Sequence, residues 1–146
     1  MKNIINEFTV RFPSRSANES FARAAAAAFV AQLDPTVEEL YDIKTAVSEA
    51  VTNCIVHGYR DTLGSISMTV RLYEDGTAEI IVRDRGCGIA DVKLAREPMF
   101  TTGGADRSGM GFTIMESFMD KLSVRSVAGW GTTVKMSKRL TRREAK

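Results

Sequence analysis

Apolar residues change their spacing repeatedly along this chain, and each change marks an element. Residues 4–12, IINEFTVRF, alternate well enough to predict a strand. Residues 14–33, SRSANESFARAAAAAFVAQL, read as a helix: alanines dominate, and Ser16 with Glu19 has the spacing of a capping box. Asp34-Pro35-Thr36 interrupts it. Thr36 with Glu39 has capping-box spacing again and opens a long helix that runs to about His57, with Gly58 as its stop. Two strands follow, GSISMTVRLY and GTAEIIVRD, joined at the turn signal Glu74-Asp75-Gly76. GMGFTIMESFMDKL reads as a helix entered through glycines, and SVRSV and GTTVKMSK as a hairpin turning near Gly129.

This order is strand, helix, helix, strand, strand, helix, strand, strand. It does not alternate as a doubly wound fold would. It predicts an α+β fold of two layers, a mixed, mostly antiparallel sheet covered on one face by helices. No repeat or linker breaks the 146 residues, so one domain is expected over residues 1–146.

Composition alters this picture only at the edges. The chain is 44% hydrophobic and 26% charged, ordinary for a globular domain. Its longest apolar run, residues 24–31, is far too short to span a bilayer, and MKNIINEF has no signal-peptide core. No membrane partner is expected. Two cysteines make no disulfide framework, and a reducing cytosol is the simpler reading. Net charge is +2, but residues 135–146 carry +5 of it and the remainder about −3. The basic tail, from about residue 139, is expected to be frayed and solvated. It lacks the aromatic interleaving of a nucleic-acid site, so no direct nucleic-acid contact is expected.

Chemistry concentrates elsewhere. Residues 83–113 hold six of the eleven glycines: Gly86, Gly88, Gly103, Gly104, Gly109 and Gly111. Glycine weakens ordered chain, so such a cluster suggests backbone that turns sharply, approaches a ligand closely or moves. Asp84 ends a β-branched strand and leads into Gly86, Gly88 and Ile89. A carboxylate there accepts from an exocyclic amine but cannot donate, and so favours adenine over guanine. Gly109 and Gly111 precede a helix, whose unpaired N–H groups can hold phosphate oxygens. On the long helix, Val37, Leu40, Ile43, Val47, Val51, Cys54 and Ile55 share one broad side at ~100° per residue. Glu49 and Asn53, within ~40° of each other, project roughly opposite it. Taken alone they read as a solvated polar pair.

The motifs gain weight together. Glu49-x-x-x-Asn53, DRGCGI, a Gly/Thr-rich loop, SGMGF and GTT follow in an order that resembles the ATP-binding (Bergerat) fold shared by gyrase B, Hsp90, histidine kinases and MutL, the GHKL superfamily. SANESFARAAAAAFVAQLDPTVEEL, KTAVSEAVTNCIVHGY, EPMFTT and RSGMGFTIMESFMDKL look like the anti-sigma F factors of endospore-forming bacteria, a family of serine kinases that also inhibit a sigma factor.

The resemblance implies ATP/ADP and Mg²⁺ as cofactors, with roles for particular residues. Glu49 would be the general base and Asn53 the magnesium ligand. Asp84 would read adenine, with Thr133 in support, and Gly86, Gly88 and Ile89 would shape the purine pocket. Thr101 and Thr102 would belong to a mobile lid, and Ser108, Gly109, Met110 and Gly111 would line the phosphates. Arg23, in ESFAR, would meet the partners. These are the sigma factor F and an anti-anti-sigma protein phosphorylated on serine. A cytoplasmic homodimer joined along the first strand is implied as well. The residues 24–28 are read instead as a close helix-packing face, and His57, the only histidine, as structural. This chain departs from the family where Gly103-Gly104 replaces a Lys-Pro pair after the lid threonines, which implies a looser lid and leaves Arg107 as the substitute phosphate contact. Cys87 between the glycines is a second departure. Two other readings stay open: a stress-response anti-sigma kinase, and a nucleotide-gated binding module without phosphoryl transfer.

Overall fold

The structure is a computed structural model and describes residues 3–59, 62–89, 92, 96 and 111–141. Among the described residues five strands and three α-helices follow the expected order: β1 (Ile4–Pro13), α1 (Ala17–Val30), α2 (Val37–Asn53), β2 (Ser65–Tyr73), β3 (Thr77–Asp84), α3 (Gly111–Phe118), β4 (Lys121–Val127) and β5 (Gly131–Arg139). The sheet runs β1-β2-β3-β5-β4. All four pairings are antiparallel, so the described sheet carries no parallel pair.

Strand periodicity explains the layers. Ile66, Met68, Val70 and Leu72 of β2, Ile80 and Val82 of β3, and Val134 and Met136 of β5 are buried on one face. Against them pack Ala22, Ala26 and Val30 of α1, Ile43, Ala46, Val47, Ala50 and Val51 of α2, and Phe112 and Met115 of α3. Within the alanine run 24–28 only Ala26 is fully buried; Ala25 and Ala27 are half-buried and Ala24 and Ala28 stay exposed. Among the described residues no helix is long and apolar enough to cross a membrane.

Local details separate two identical-looking signals. At Thr36 the capping box forms: its hydroxyl accepts from Glu39 N at 3.0 Å, and Glu39 Oε1 accepts from Thr36 N at 2.9 Å. At Ser16 it does not. Ser16 is already helical (φ −58°, ψ −32°), so its hydroxyl cannot reach forward and makes no capping bond. Glu19 instead turns along the helix to Arg23. Val37 lies at the solvent side of the first turn of α2 and is exposed. The third helix stops at Phe118, sooner than its apolar pattern suggests, because Leu122 pairs with Met136 in the sheet. The first residues of the expected tail belong to the fold, and residues 142–146 lie outside the described residues. Arg139 closes β5, Leu140 is buried, and Thr141 N donates to Glu39 Oε2 at 2.7 Å.

Candidate functional site

The helix-covered face ends, at one edge of the sheet, in a carboxylate. Asp84 is the last residue of β3 and its even-numbered position points it toward the helices; it is 5% exposed. Helix α2 reaches that point by a change of winding. After Asn53 the turn Cys54–Gly58 widens to π geometry, closed by Tyr59 N donating to Cys54 O at 3.0 Å. The extra residue in the turn brings Gly58 onto the carboxylate. A Cβ on Gly58 would lie 2.9 Å from Asp84 Oδ2. Any side chain there would occupy the approach to the acid.

The glycine turn after Asp84 is clamped from both sides. Gly86 N donates to Asp84 Oδ1 at 2.8 Å, and Cys87 N donates to Gly58 O at 2.9 Å. A Cβ on Gly86 would collide with the Gly58 carbonyl, which is why the residue must be glycine. Gly88 has φ +74°, a left-handed conformation that glycine adopts without strain. On the other side Gly129 N donates to Cys87 O at 2.6 Å, and Ile89 N donates to Ser126 Oγ at 2.6 Å. Tyr59 fixes the strand end: its hydroxyl donates to Ser65 O and accepts from Arg85 N, each at 2.7 Å. A depression of about 600 Å³ opens here, lined by Gly58, Tyr59, Leu63, Arg85, Gly86 and Cys87.

Burial dominates the electrostatics. It raises the Asp84 carboxyl above its ordinary range, although the Gly86 N–H, the Cys54 S–H and the Thr132 N–H each favour the charged form. Burial, with the adjacent Asp84 charge, also pushes the Cys54 thiol well up, so it stays a neutral donor to that carboxylate.

Further along the same face, Asn53 and Glu49 are one helical turn apart and half-buried, not fully solvated. A Cβ on Gly111, the first residue of α3, would lie 3.1 Å from both Nδ2 and Oδ1 of Asn53. Any side chain at that position would crowd the amide. A neutral amide oxygen is a ligand that magnesium accepts, and magnesium takes few protein ligands.

Gly58 and Gly86 thus adjoin Asp84, and Gly111 adjoins Asn53, with Glu49 a turn further along α2. Gly88 packs on the Val127 carbonyl, and Ile89 is held by its bond to Ser126. Thr133 does not adjoin Asp84. It pairs with Arg83, accepts from Arg83 Nε at 3.2 Å, and lies on the helix-free face of the sheet. The residue beside Asp84 is Thr132, its cross-strand partner, whose hydroxyl is 2.8 Å from that of Ser126. Cys54, Gly58, Ser126 and Thr132 are the residues that motif reading misses. Only Gly58 carries a sequence signal, as the stop of a long helix. Arg23 lies apart on α1, its guanidinium 3.6 Å from Glu19 Oε2. His57 is half-buried, and its carbonyl accepts from the Cys87 thiol at 2.9 Å. Thr101, Thr102, Gly103, Gly104, Arg107, Ser108, Gly109 and Met110 lie outside the described residues.

The chain matches the family model described as "Histidine kinase-like ATPase domain" over residues 12–138. It is 55% identical over 142 residues to the anti-sigma F factor of Geobacillus kaustophilus, covering 96% of this chain and 97% of that one. With the anti-sigma F factor of Geobacillus stearothermophilus it shares 57% over 135 residues, 91% of this chain and 92% of the other. Among solved structures it is similar to the RsbU and RsbW domains of a Mycobacterium tuberculosis protein, with a TM-score of 0.68 at 24% identity, covering 94% of this chain and 32% of that one. The mycobacterial sensor histidine kinase MprB gives 0.59 at 15%, covering 94% of this chain and 100% of that one. At these identities the two structures speak for the fold alone.

Proposed function

Because the chain belongs to the anti-sigma F factors, within the histidine kinase-like ATPase family, we propose that it binds Mg-ATP in a cleft between α2, the β3 turn and α3, holds a sigma factor inactive, and phosphorylates a serine of that factor's anti-anti-sigma antagonist. The observation that supports the reading is the buried Asp84 carboxylate beside Gly58 and Gly86, at the end of β3, with Asn53 at the end of α2.

Each residue has a physical task. Asp84 accepts from the exocyclic amine of adenine, while the close glycines let the purine lie against backbone. Thr132, joined to Ser126, supports that end of the cleft in place of Thr133. Asn53 offers its amide oxygen to magnesium, which neutralises phosphate charge when bound. The start of α3 presents N–H groups to the phosphates. Glu49 orients the incoming serine hydroxyl and takes its proton; the serine oxygen bonds to the γ-phosphorus as the bond to ADP breaks. A carboxylate on a packed helix, one turn from the metal ligand, is rigid enough for that positioning.

Partner contact is assigned to the α1 surface around Arg23. A homodimer is assigned to the sheet edge, where β1 leaves Ile4 and Ile5 exposed. The free thiols Cys54 and Cys87 accord with a reducing cytoplasm. Incubation with radiolabelled ATP and purified anti-anti-sigma proteins tests the whole. Label on a serine of one partner, lost in Glu49→Gln while nucleotide binding persists, is the expected result. Label on a stress-response antagonist instead would reassign the pathway, and binding without label on any partner would leave only a nucleotide-gated module.

A further inference from the structure

The helix-free face of the sheet has a charge pattern that the nucleotide cleft does not use. Side chains directly opposite one another across strands share a face. The register therefore sets Arg11, Ser67, Arg83, Thr133 and Arg125 in one row across all five strands. The three arginines are exposed, and the hydroxyl residues between them are half-buried. Among the described residues none of the three has a carboxylate within ion-pair distance. Arg83 Nε donates to Thr133 Oγ1 at 3.2 Å.

Four residues along the strands the pattern reverses. Glu7, Arg71 and Glu79 occupy the matching row. Arg71 bonds Glu7 at 2.9 Å and lies 3.6 Å from Glu79, which Lys135 also approaches at 3.5 Å. One end of the face is internally neutralised, and the other presents three unneutralised guanidinium groups interleaved with hydroxyls.

We infer that this arginine row docks an acidic helix of a protein partner. Arg11 to Arg83 and Arg83 to Arg125 each cross two strand spacings, about 10 Å. An α-helix carrying Glu or Asp at every seventh residue repeats its carboxylates every ~10.5 Å, close to that interval. Guanidinium groups favour carboxylates through paired donors, and the Ser67 and Thr133 hydroxyls add further polar contacts. A second copy of this chain meeting it face to face would bring arginines together. The chain's own C-terminal tail is basic and is repelled. Single-stranded nucleic acid is disfavoured because the row has no aromatic platform for bases. The face lies opposite Asp84, so the inference stands apart from the nucleotide reading, and an edge-on dimer through β1 leaves it open.

The test is fluorescence anisotropy with a labelled helical peptide bearing Glu at every seventh position. Controls are the same peptide with Lys at those positions and a single-stranded oligonucleotide of equal charge. Wild-type protein should bind the Glu peptide, less tightly as salt rises. The triple variant Arg11→Gln, Arg83→Gln, Arg125→Gln should bind about tenfold more weakly. Arg71→Gln, in the neutralised row, should change binding less than about twofold. Unaltered ATP binding by the triple variant would show that its fold is intact. Equal peptide binding by wild-type and triple variant, equal binding of the Lys peptide, or tighter binding of the oligonucleotide would each overturn the inference. If the triple variant folds poorly, single Arg→Lys and Arg→Gln changes at Arg125, on the outermost strand, repeat the comparison, and no difference from wild type there would also overturn it.

Discussion

Glu39 and Asp84 are both buried carboxylates, 9% and 5% exposed, and both accept from backbone N–H groups. Their acidities nonetheless move in opposite directions. For Glu39 burial disfavours the charge, but donors on both oxygens, Thr36 N at 2.9 Å and Thr141 N at 2.7 Å, outweigh it and hold the carboxyl below its ordinary value. For Asp84 burial wins over its donors and the carboxyl is raised. The first acid is satisfied by the fold: it closes the start of α2 and ties down the chain after β5. The second lies deeper, so its three donors do not offset the cost of burying its charge. On the proposed function a ligand amine would be a further donor to it.

Exchanging the two acids for amides should break the pair apart. Asp84→Asn should weaken ATP binding about 10- to 100-fold in calorimetry, since a charge-assisted acceptor is lost. Its urea midpoint should move little, because a buried charge is removed while one acceptor oxygen stays. Glu39→Gln should do the reverse: a loss of about 1–3 kcal/mol in stability, with ATP affinity unchanged. An Asp84→Asn protein that unfolds, or that binds ATP normally, contradicts the division.

The same contrast has a pH signature. Glu39 contributes stability that is complete above its unfolded-state value and is lost as pH falls through its lower folded-state value. Asp84 contributes stability that is complete below its unfolded-state value and is lost as pH rises through its higher folded-state value. On acidification, Asp84 protonation therefore adds stability and Glu39 protonation removes it. Urea midpoints recorded from about pH 7 to pH 3 should lack the rise in Asp84→Asn and lack much of the fall in Glu39→Gln.

Smaller effects sharpen the boundary of the site. Thr132→Val should weaken ATP binding by roughly three- to tenfold through its place beside Asp84, and Thr133→Val, on the far face, should leave it unchanged. Equal effects would mean that the face of the strand is immaterial. Finally, the exposed Cys87 thiol should react with a thiol reagent, and bound ADP should slow the reaction; labelling indifferent to ADP removes Cys87 from the mouth of the cleft.

What was legible in the sequence was local or periodic. The Thr36–Glu39 box, the turn at Gly76 and the alternation of β2 need only neighbouring residues, and all are present. The same capping pattern at Ser16 failed because the backbone there is already helical, a matter of how α1 leaves β1 and not of residue type. Asp84 could be singled out because it ends a strand and enters glycines. Thr132 could not be chosen over Thr133, since which of two adjacent residues faces the acid is fixed by strand register. The contacts of Gly58 with Asp84 and of Asn53 with Gly111 join residues far apart in the chain and arise only when α2, β3 and α3 pack. Glu49 and Asn53 looked solvated on an isolated helix for the same reason.

Calorimetric titration of the purified chain with ATP and with GTP, each with and without magnesium, bears most directly on the cleft between Asn53 and the turn after Asp84. The expected result is ATP binding that magnesium strengthens, and GTP binding weaker by at least about tenfold, because guanine presents an acceptor to Asp84. Equal affinity for the two nucleotides, or no uptake of either, would contradict it.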